Sequence, residues 1–132
     1  MANEEESAED RRELVRLTVR ALEKRGYSHL LADLPEQHRD ERPYSVVWEG
    51  GEERFRPDII ARGKDRDFLF EVETAETFGS PLTEEKIEIF SAFAAHNGQF
   101  FCLVVPAEFK EKAREKLQSL DVDERFSYVA GF

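Results

Sequence analysis

The sequence has a single cysteine, and no stretch of it approaches the roughly 20 consecutive apolar residues that a membrane span needs. Because Cys102 has no partner in the chain, an internal disulfide and a cysteine-based zinc site are both excluded. Cys102 lies in the apolar run QFFCLVV, so we interpret it as a buried small hydrophobic residue. The N-terminal segment MANEEESAED lacks the apolar core of a signal peptide, which favours a soluble, cytoplasmic protein with no membrane partner.

Basic residues are scarce relative to acidic ones. The chain has 19 Lys and Arg against 29 Asp and Glu, and its formal net charge is −10. Nucleic-acid binding draws much of its affinity from basic side chains that neutralise phosphates. This balance therefore argues against a tight, non-specific nucleic-acid binder, although it leaves room for a local basic patch.

Length and hydrophobic content predict one globular domain. The chain has 132 residues, of which 40% are hydrophobic and 36% are charged, which is enough to bury one core under a charged surface. We expect residues 1–8 to form a disordered acidic N-terminus and residues 9–132 to form the domain.

Hydrophobic periodicity predicts the element order α-β-β-β-α-β-α-β. The predicted helices lie within residues 8–27, 80–98 and 107–120, and the predicted strands lie within residues 43–48, 52–61, 66–74, 99–106 and 125–130. The segment from Tyr27 to Pro43 is predicted as a loop, and Gly50-Gly51 as a hairpin turn inside an antiparallel meander of the first three strands. The strand-helix-strand unit requires a right-handed crossover. The expected fold class is α/β, at the boundary with α+β, with a mixed sheet flanked by helices.

The first predicted helix carries a basic stripe opposite its apolar face. The stripe consists of Arg12, Arg16, Arg20 and Lys24. Because Glu13 and Glu23 are interleaved with it, we interpret the stripe as a solvated face with ion pairs, and contact with phosphates is the alternative.

Three carboxylates are predicted to meet at one end of the sheet. Side chains alternate along a strand, so Glu71 and Glu73 share one face. If Lys64 and Asp65 are the central residues of the preceding turn, Asp58 stands opposite Glu71, with Cβ atoms about 5 Å apart. Like charges at this range repel each other unless water or a cation screens them, and Mg²⁺ prefers oxygen ligands of this kind. A hydrated strand end is the alternative interpretation.

A lysine is predicted on the apolar side of the second helix. Projection at 100° per residue places Lys86 within the cluster Leu82, Ile89, Phe90, Phe93 and Ala94. From the start of this helix its ammonium could reach toward Glu71 and Glu73. The alternative is a lysine whose stem covers apolar surface while its charged end reaches water.

These residues resemble the motif of the PD-(D/E)XK nuclease-like superfamily. Pro57-Asp58, twelve intervening residues and Glu71-Val72-Glu73 lie on the second and third strands of an α-β-β-β-α-β core. The resemblance implies a restriction-endonuclease-like core in which Asp58, Glu71 and the Val72 carbonyl bind Mg²⁺ or Mn²⁺. The motif expects lysine where this chain has Glu73, and Lys86 on the following helix is the candidate replacement. The implied catalytic residues are Asp58, Glu71, Glu73 and Lys86.

The expected function is Mg²⁺-dependent phosphodiester hydrolysis of DNA or RNA. An alternative is a nuclease-like fold that lacks catalysis and acts as a binding or regulatory module, which Glu73 and the acidic composition favour. A third possibility is an interaction domain with no metal. An unpaired edge strand or the second helix could support a homodimer or a protein partner.

Overall fold

The computed structural model describes residues 4–47 and 54–132. The helices are α1 (Glu4–Lys24), α2 (Pro81–Asn97) and α3 (Lys110–Ser119), with 3-10 turns at Arg39–Glu41 and Ala107–Phe109. The strands are β1 (Leu30–Ala32), β2 (Val46–Val47), β3 (Arg54–Phe55), β4 (Ile59–Arg62), β5 (Asp67–Val72), β6 (Phe100–Val105) and β7 (Ser127–Gly131). No helix in these two ranges is long and apolar enough to cross a membrane.

Five of the strands form one mixed sheet in the order β1-β4-β5-β6-β7. The pairs β1/β4 and β4/β5 are antiparallel, whereas β5/β6 and β6/β7 are parallel. Helix α2 connects β5 to β6 and helix α3 connects β6 to β7, as parallel neighbours require. The predicted α/β class, with a mixed sheet and flanking helices, is confirmed.

The sheet has a hydrophobic core on each face. On one face, Val15 and Leu22 of α1 pack with Phe70, Val72 and Cys102. On the other face, α2 and α3 pack with the alternate residues of the strands, such as Leu69, Phe101 and Leu103. Strand β6 is apolar along its length because helices cover both of its faces. Cys102 is a buried free thiol, as predicted.

The first strand of the sheet was predicted in the wrong place. The segment Tyr27–Pro43, predicted as a loop, contains β1, which pairs with β4 at the edge of the sheet. The predicted strand at 43–48 instead supplies β2, which pairs with β3 in a separate two-stranded sheet. Pro57 has no backbone N–H to donate, and it lies between β3 and β4, which were predicted as one strand. The predicted Gly50-Gly51 turn lies outside the described residues.

The bounds of α1 also differ from the prediction. Residues 1–8 were expected to be disordered, but α1 begins at Glu4, and residues 1–3 lie outside the described ranges.

Helix α2 has the predicted ends but a different buried face. The Ser80 side chain accepts a hydrogen bond from the Thr83 backbone N–H, Pro81 follows in the first turn, and Gly98 ends the helix at φ 67°. The buried residues are Thr83, Ile87, Phe90, Ser91 and Ala94. Leu82, predicted within the apolar cluster, is 48% exposed. Lys86 therefore lies at the border of the buried face rather than at its centre.

Candidate active site

The β4–β5 hairpin places Asp58 across from Glu71. Ile59 pairs with Phe70 and Ile60 pairs with Leu69, which is the predicted register. The hairpin closes with the Gly63 N–H donating to the Arg66 carbonyl at 3.0 Å. Asp58 directly precedes β4, and its Oδ2 accepts a hydrogen bond of 2.7 Å from the Val72 backbone N–H. The aspartate therefore caps the ladder at the end where Glu71 lies.

Glu71 is a fully buried carboxylate. Its residue exposure is 0%, and its Oε2 atom has no hydrogen-bond partner among the described residues. Burial raises the pKa of Glu71 well above its ordinary value, and the charge of Asp58 raises it further. The charges of Arg11 and Lys86 oppose this rise. Glu71 therefore needs a positive charge nearby in order to remain ionised.

Arg11 supplies that positive charge from helix α1. Its guanidinium donates to Asp58 Oδ2 at 2.8 Å and to the Val72 carbonyl at 3.1 Å, and it also contacts Glu71 Oε1. Burial lowers the pKa of Arg11, but the charges of Asp58, Glu71 and Glu73 outweigh this effect and raise it overall. One cation thus meets the same three groups that the resemblance implies as metal ligands.

Arg11 was not among the residues predicted for the site, although its spacing on α1 carries a signal. Arg11 precedes Val15 by four residues and Thr18 by seven, and both of these residues are buried. This spacing places Arg11 on the core-facing side of α1.

The basic stripe on α1 was interpreted as a solvated face with ion pairs, and two of its arginines form such pairs. Arg12 pairs with Glu9, and Arg16 pairs with Glu36 on the segment after β1.

Lys86 approaches the same carboxylate from helix α2. Its Nζ lies 3.6 Å from Glu71 Oε1, and only 15% of its side chain is exposed. The predicted reach of Lys86 toward Glu71 is confirmed by this contact. Because α1 and α2 cover opposite faces of the sheet, Glu71 receives one cation from each side.

Glu73 is buried two residues after Glu71, but it does not share the ion pairs that Glu71 forms with Arg11 and Lys86. Its exposure is 2%, and its backbone N–H donates to the Val104 carbonyl at 2.9 Å. Burial raises the pKa of Glu73, while Thr77, Arg11 and Lys86 oppose the rise. No ion pair of Glu73 occurs among the described residues. The structure therefore joins two of the three predicted carboxylates at one cation.

The oxygen atoms around Arg11 fit a hard divalent cation by their chemistry. Within residues 4–47 and 54–132, no group of three or more His, Cys, Asp or Glu side chains is arranged to hold a metal. Two carboxylates and one backbone carbonyl do converge, and Glu71 Oε2 is buried without a partner. Mg²⁺ commonly takes one or two carboxylates and completes its octahedron with water and phosphate oxygens. These donor atoms suit Mg²⁺, and the guanidinium of Arg11 occupies the position between them.

A cavity of about 400 Å³ opens beside the centre. Arg11, Arg12, Asp33, Asp58 and Thr77 are among the residues that line it. Asp58 and Arg11 therefore both border this cavity.

No protein-family model, curated protein or solved structure matches this chain.

Proposed function

We propose that the chain is a metal-dependent phosphodiester hydrolase of the nuclease type that acts on DNA or RNA with Mg²⁺ or Mn²⁺. The observation that carries the proposal is the convergence of Asp58, Glu71 and the Val72 carbonyl on one cation. An arginine is a large cation, yet it contacts the three groups that the PD-(D/E)XK resemblance assigns to a metal. Their geometry is therefore already arranged around a positive charge.

Asp58, Glu71 and the Val72 carbonyl would hold the metal, which when bound would polarise a phosphodiester and lower the pKa of a water molecule. The chain's own side chains would do the remaining work. Lys86 would donate a hydrogen bond to the attacking water or stabilise developing negative charge. Glu73 would accept a hydrogen bond from the same water. The adjacent 400 Å³ cavity has room for a phosphate group.

Under this proposal Arg11 closes the centre when no metal is bound. Metal binding requires its guanidinium to move aside, and 26% of the Arg11 side chain is exposed at the cavity wall. A released guanidinium can pair with a phosphate oxygen of the substrate, because its planar fork matches phosphate geometry. Arg11 would then compete with the metal in the resting protein and bind substrate in the working one.

A second candidate function is a nuclease-like domain without catalysis. The contacts of Arg11 favour it, because a permanent guanidinium would neutralise Asp58 and Glu71 without any metal. Glu73 in place of the expected lysine points the same way. Such a domain would serve as a binding or regulatory module, and it would bind no divalent cation at the centre.

The two functions are distinguished by a cleavage assay on supercoiled plasmid, single-stranded DNA and structured RNA with Mg²⁺ or Mn²⁺. We expect wild-type protein to cut at least one substrate, Asp58→Asn to cut none, and chelation to stop the reaction. Asp65→Asn is the matched control, because Asp65 is exposed in the turn at the other end of the hairpin. Absence of cutting by both wild type and Arg11→Met favours the non-catalytic module. Cutting that survives Asp58→Asn indicates a contaminating nuclease and contradicts the proposal.

A further inference from the structure

A second cavity, of about 600 Å³, is lined by four arginines. These are Arg39, Arg42, Arg56 and Arg62, and among the described residues Asp40 is the one acidic residue that shares the lining. The chain as a whole carries a net charge of −10. The charge of this concave surface is therefore opposite in sign to the net charge of the molecule. A surface of positive charge favours the binding of a negatively charged ligand.

Among the described residues, the guanidinium groups of this cavity have only weak or neutral partners. Arg42 donates from Nε to the Gln37 carbonyl at 3.2 Å, which orients its fork without neutralising its charge. Arg62 approaches Asp67 at 3.4 Å with half of its side chain exposed, so this ion pair is weak. Arg39 and Arg56 are exposed, and within the described ranges neither forms an ion pair.

The fold connects this cavity to the carboxylate centre through strand β4. Arg62 ends β4, and Asp58 precedes its first residue. Four residues of extended strand span about 13 Å, which is within the length of a short stretch of nucleic-acid backbone. Tyr44 contributes an aromatic wall to the same cavity, and its hydroxyl is held by Asp67 at 3.0 Å.

We infer that the four-arginine cavity is a phosphate-binding subsite for a nucleic-acid strand, separate from the Asp58–Glu71 centre. Guanidinium forks match phosphate oxygens in pairs, and a phosphodiester backbone carries one charge per nucleotide, so one strand meets several of the arginines at once. The identity of the ligand rests on the proposed function, whereas the binding itself requires no cleavage.

The test compares two double variants that each remove two arginines. Arg39→Gln/Arg56→Gln alters the cavity, and Arg114→Gln/Arg125→Gln is the control, because Arg114 and Arg125 are exposed and pair only with the nearby Glu111 and Asp123 in the described ranges. Circular dichroism and thermal melting check that both variants fold. Binding of fluorescein-labelled single strands and duplexes of DNA and RNA, each about 20 nucleotides long, is measured by anisotropy with EDTA at about 50 mM NaCl and above.

We expect the cavity variant to bind at least about tenfold more weakly than wild type. The slope of log affinity against log salt concentration should be shallower by about 1.4 for single strands or about 1.8 for duplexes, because two phosphate contacts are lost. The control should bind within about threefold of wild type. Equal weakening of both variants, or absence of binding by wild type, would overturn the inference. Displacement of the labelled strand by polyglutamate as effectively as by polyphosphate would also overturn it.

The outcomes separate this inference from the proposed function. Binding that depends on the cavity, without metal-dependent cutting, supports the subsite and contradicts the hydrolase. Metal-dependent cutting with unchanged binding in the cavity variant supports the hydrolase and contradicts the subsite.

Discussion

Glu71 is a buried carboxylate whose charge is balanced by two cations from opposite faces of the sheet. Arg11 contacts it from α1, and Lys86 lies 3.6 Å away on α2. The two contacts differ in kind, because Arg11 also bonds Asp58 and the Val72 carbonyl. Removal of Arg11 therefore takes one partner from each of three groups, whereas removal of Lys86 leaves Glu71 with its closer partner.

We predict that Arg11→Met lowers the free energy of unfolding by about 3–5 kcal/mol without metal, the usual cost of removing one partner of a buried ion pair. Urea denaturation at neutral pH measures this loss. The neighbouring Arg12→Met is the control, because Arg12 forms an exposed pair with Glu9, and such a pair contributes about 1 kcal/mol or less. Equal losses in the two variants would show that Arg11 is not the structural cation of the centre.

We predict that Lys86→Met leaves the fold intact, with a loss of about 1 kcal/mol or less, because methionine fills the same partly apolar path. Under the proposed mechanism its metal-dependent cleavage falls by about 100-fold or more. Lys64→Met, in the exposed turn of the hairpin, should change neither quantity. A loss of stability as large as that of Arg11→Met would make Lys86 a structural residue instead.

Among the elements, the long periodic segments could be predicted from the sequence and the short ones could not. The register of β4 and β5 followed from the turn at Lys64 and Asp65, because a two-residue turn fixes the pairing. Strand β1 has three residues, too few to show an alternating pattern, and its place depends on pairing with β4. Arg11 was within reach of prediction, since the projection used for Lys86 also applies to α1.

Helix α1 is tied to the segment after β1 by Arg16 and Glu36. The hydrogen bonds from Arg16, together with the backbone of Glu36 itself, lower the pKa of Glu36 from 4.5 to about 2. A lowered pKa stabilises the folded chain above pH 4.5, and this contribution is lost as the pH falls through about 2.

We therefore predict that Glu36→Gln is less stable than wild type at neutral pH and that the difference shrinks as the pH falls below 4.5. Urea denaturation of both proteins at several pH values measures the difference. Glu108→Gln, on the exposed 3-10 turn before α3, is the control, because Glu108 forms no ion pair among the described residues. A difference that grows on acidification would contradict the assigned role of Glu36.

For the molecule as a whole, the dominant electrostatic quantity is the net charge of −10. Like charges on a compact surface repel each other, and salt screens this repulsion. We predict that the thermal midpoint at neutral pH rises by a few degrees when NaCl is added, and that the rise disappears near the isoelectric pH that the composition gives, about 4.8. Differential scanning calorimetry measures both. A midpoint that falls with salt at neutral pH would mean that local ion pairs outweigh the overall repulsion.

The same charge limits what the molecule can bind. An acidic surface repels nucleic acid, so under the proposed function contact with a strand would depend on the four-arginine cavity and on the centre itself. A divalent cation at Asp58 and Glu71 would reduce the negative charge at the place where a phosphate must approach. Metal and nucleic acid are therefore expected to favour each other's binding.

The most direct test of the cation centre is calorimetric titration of Mn²⁺ and Mg²⁺ into wild type, Arg11→Met and Asp58→Asn. We predict binding by wild type at millimolar concentrations, tighter binding by Arg11→Met because the competing guanidinium is gone, and none by Asp58→Asn. Metal at about 100 times its Kd should then restore about 2.7 kcal/mol of stability to Arg11→Met. Absence of binding in both wild type and Arg11→Met would contradict the account, because Arg11 would then be the permanent cation of the site.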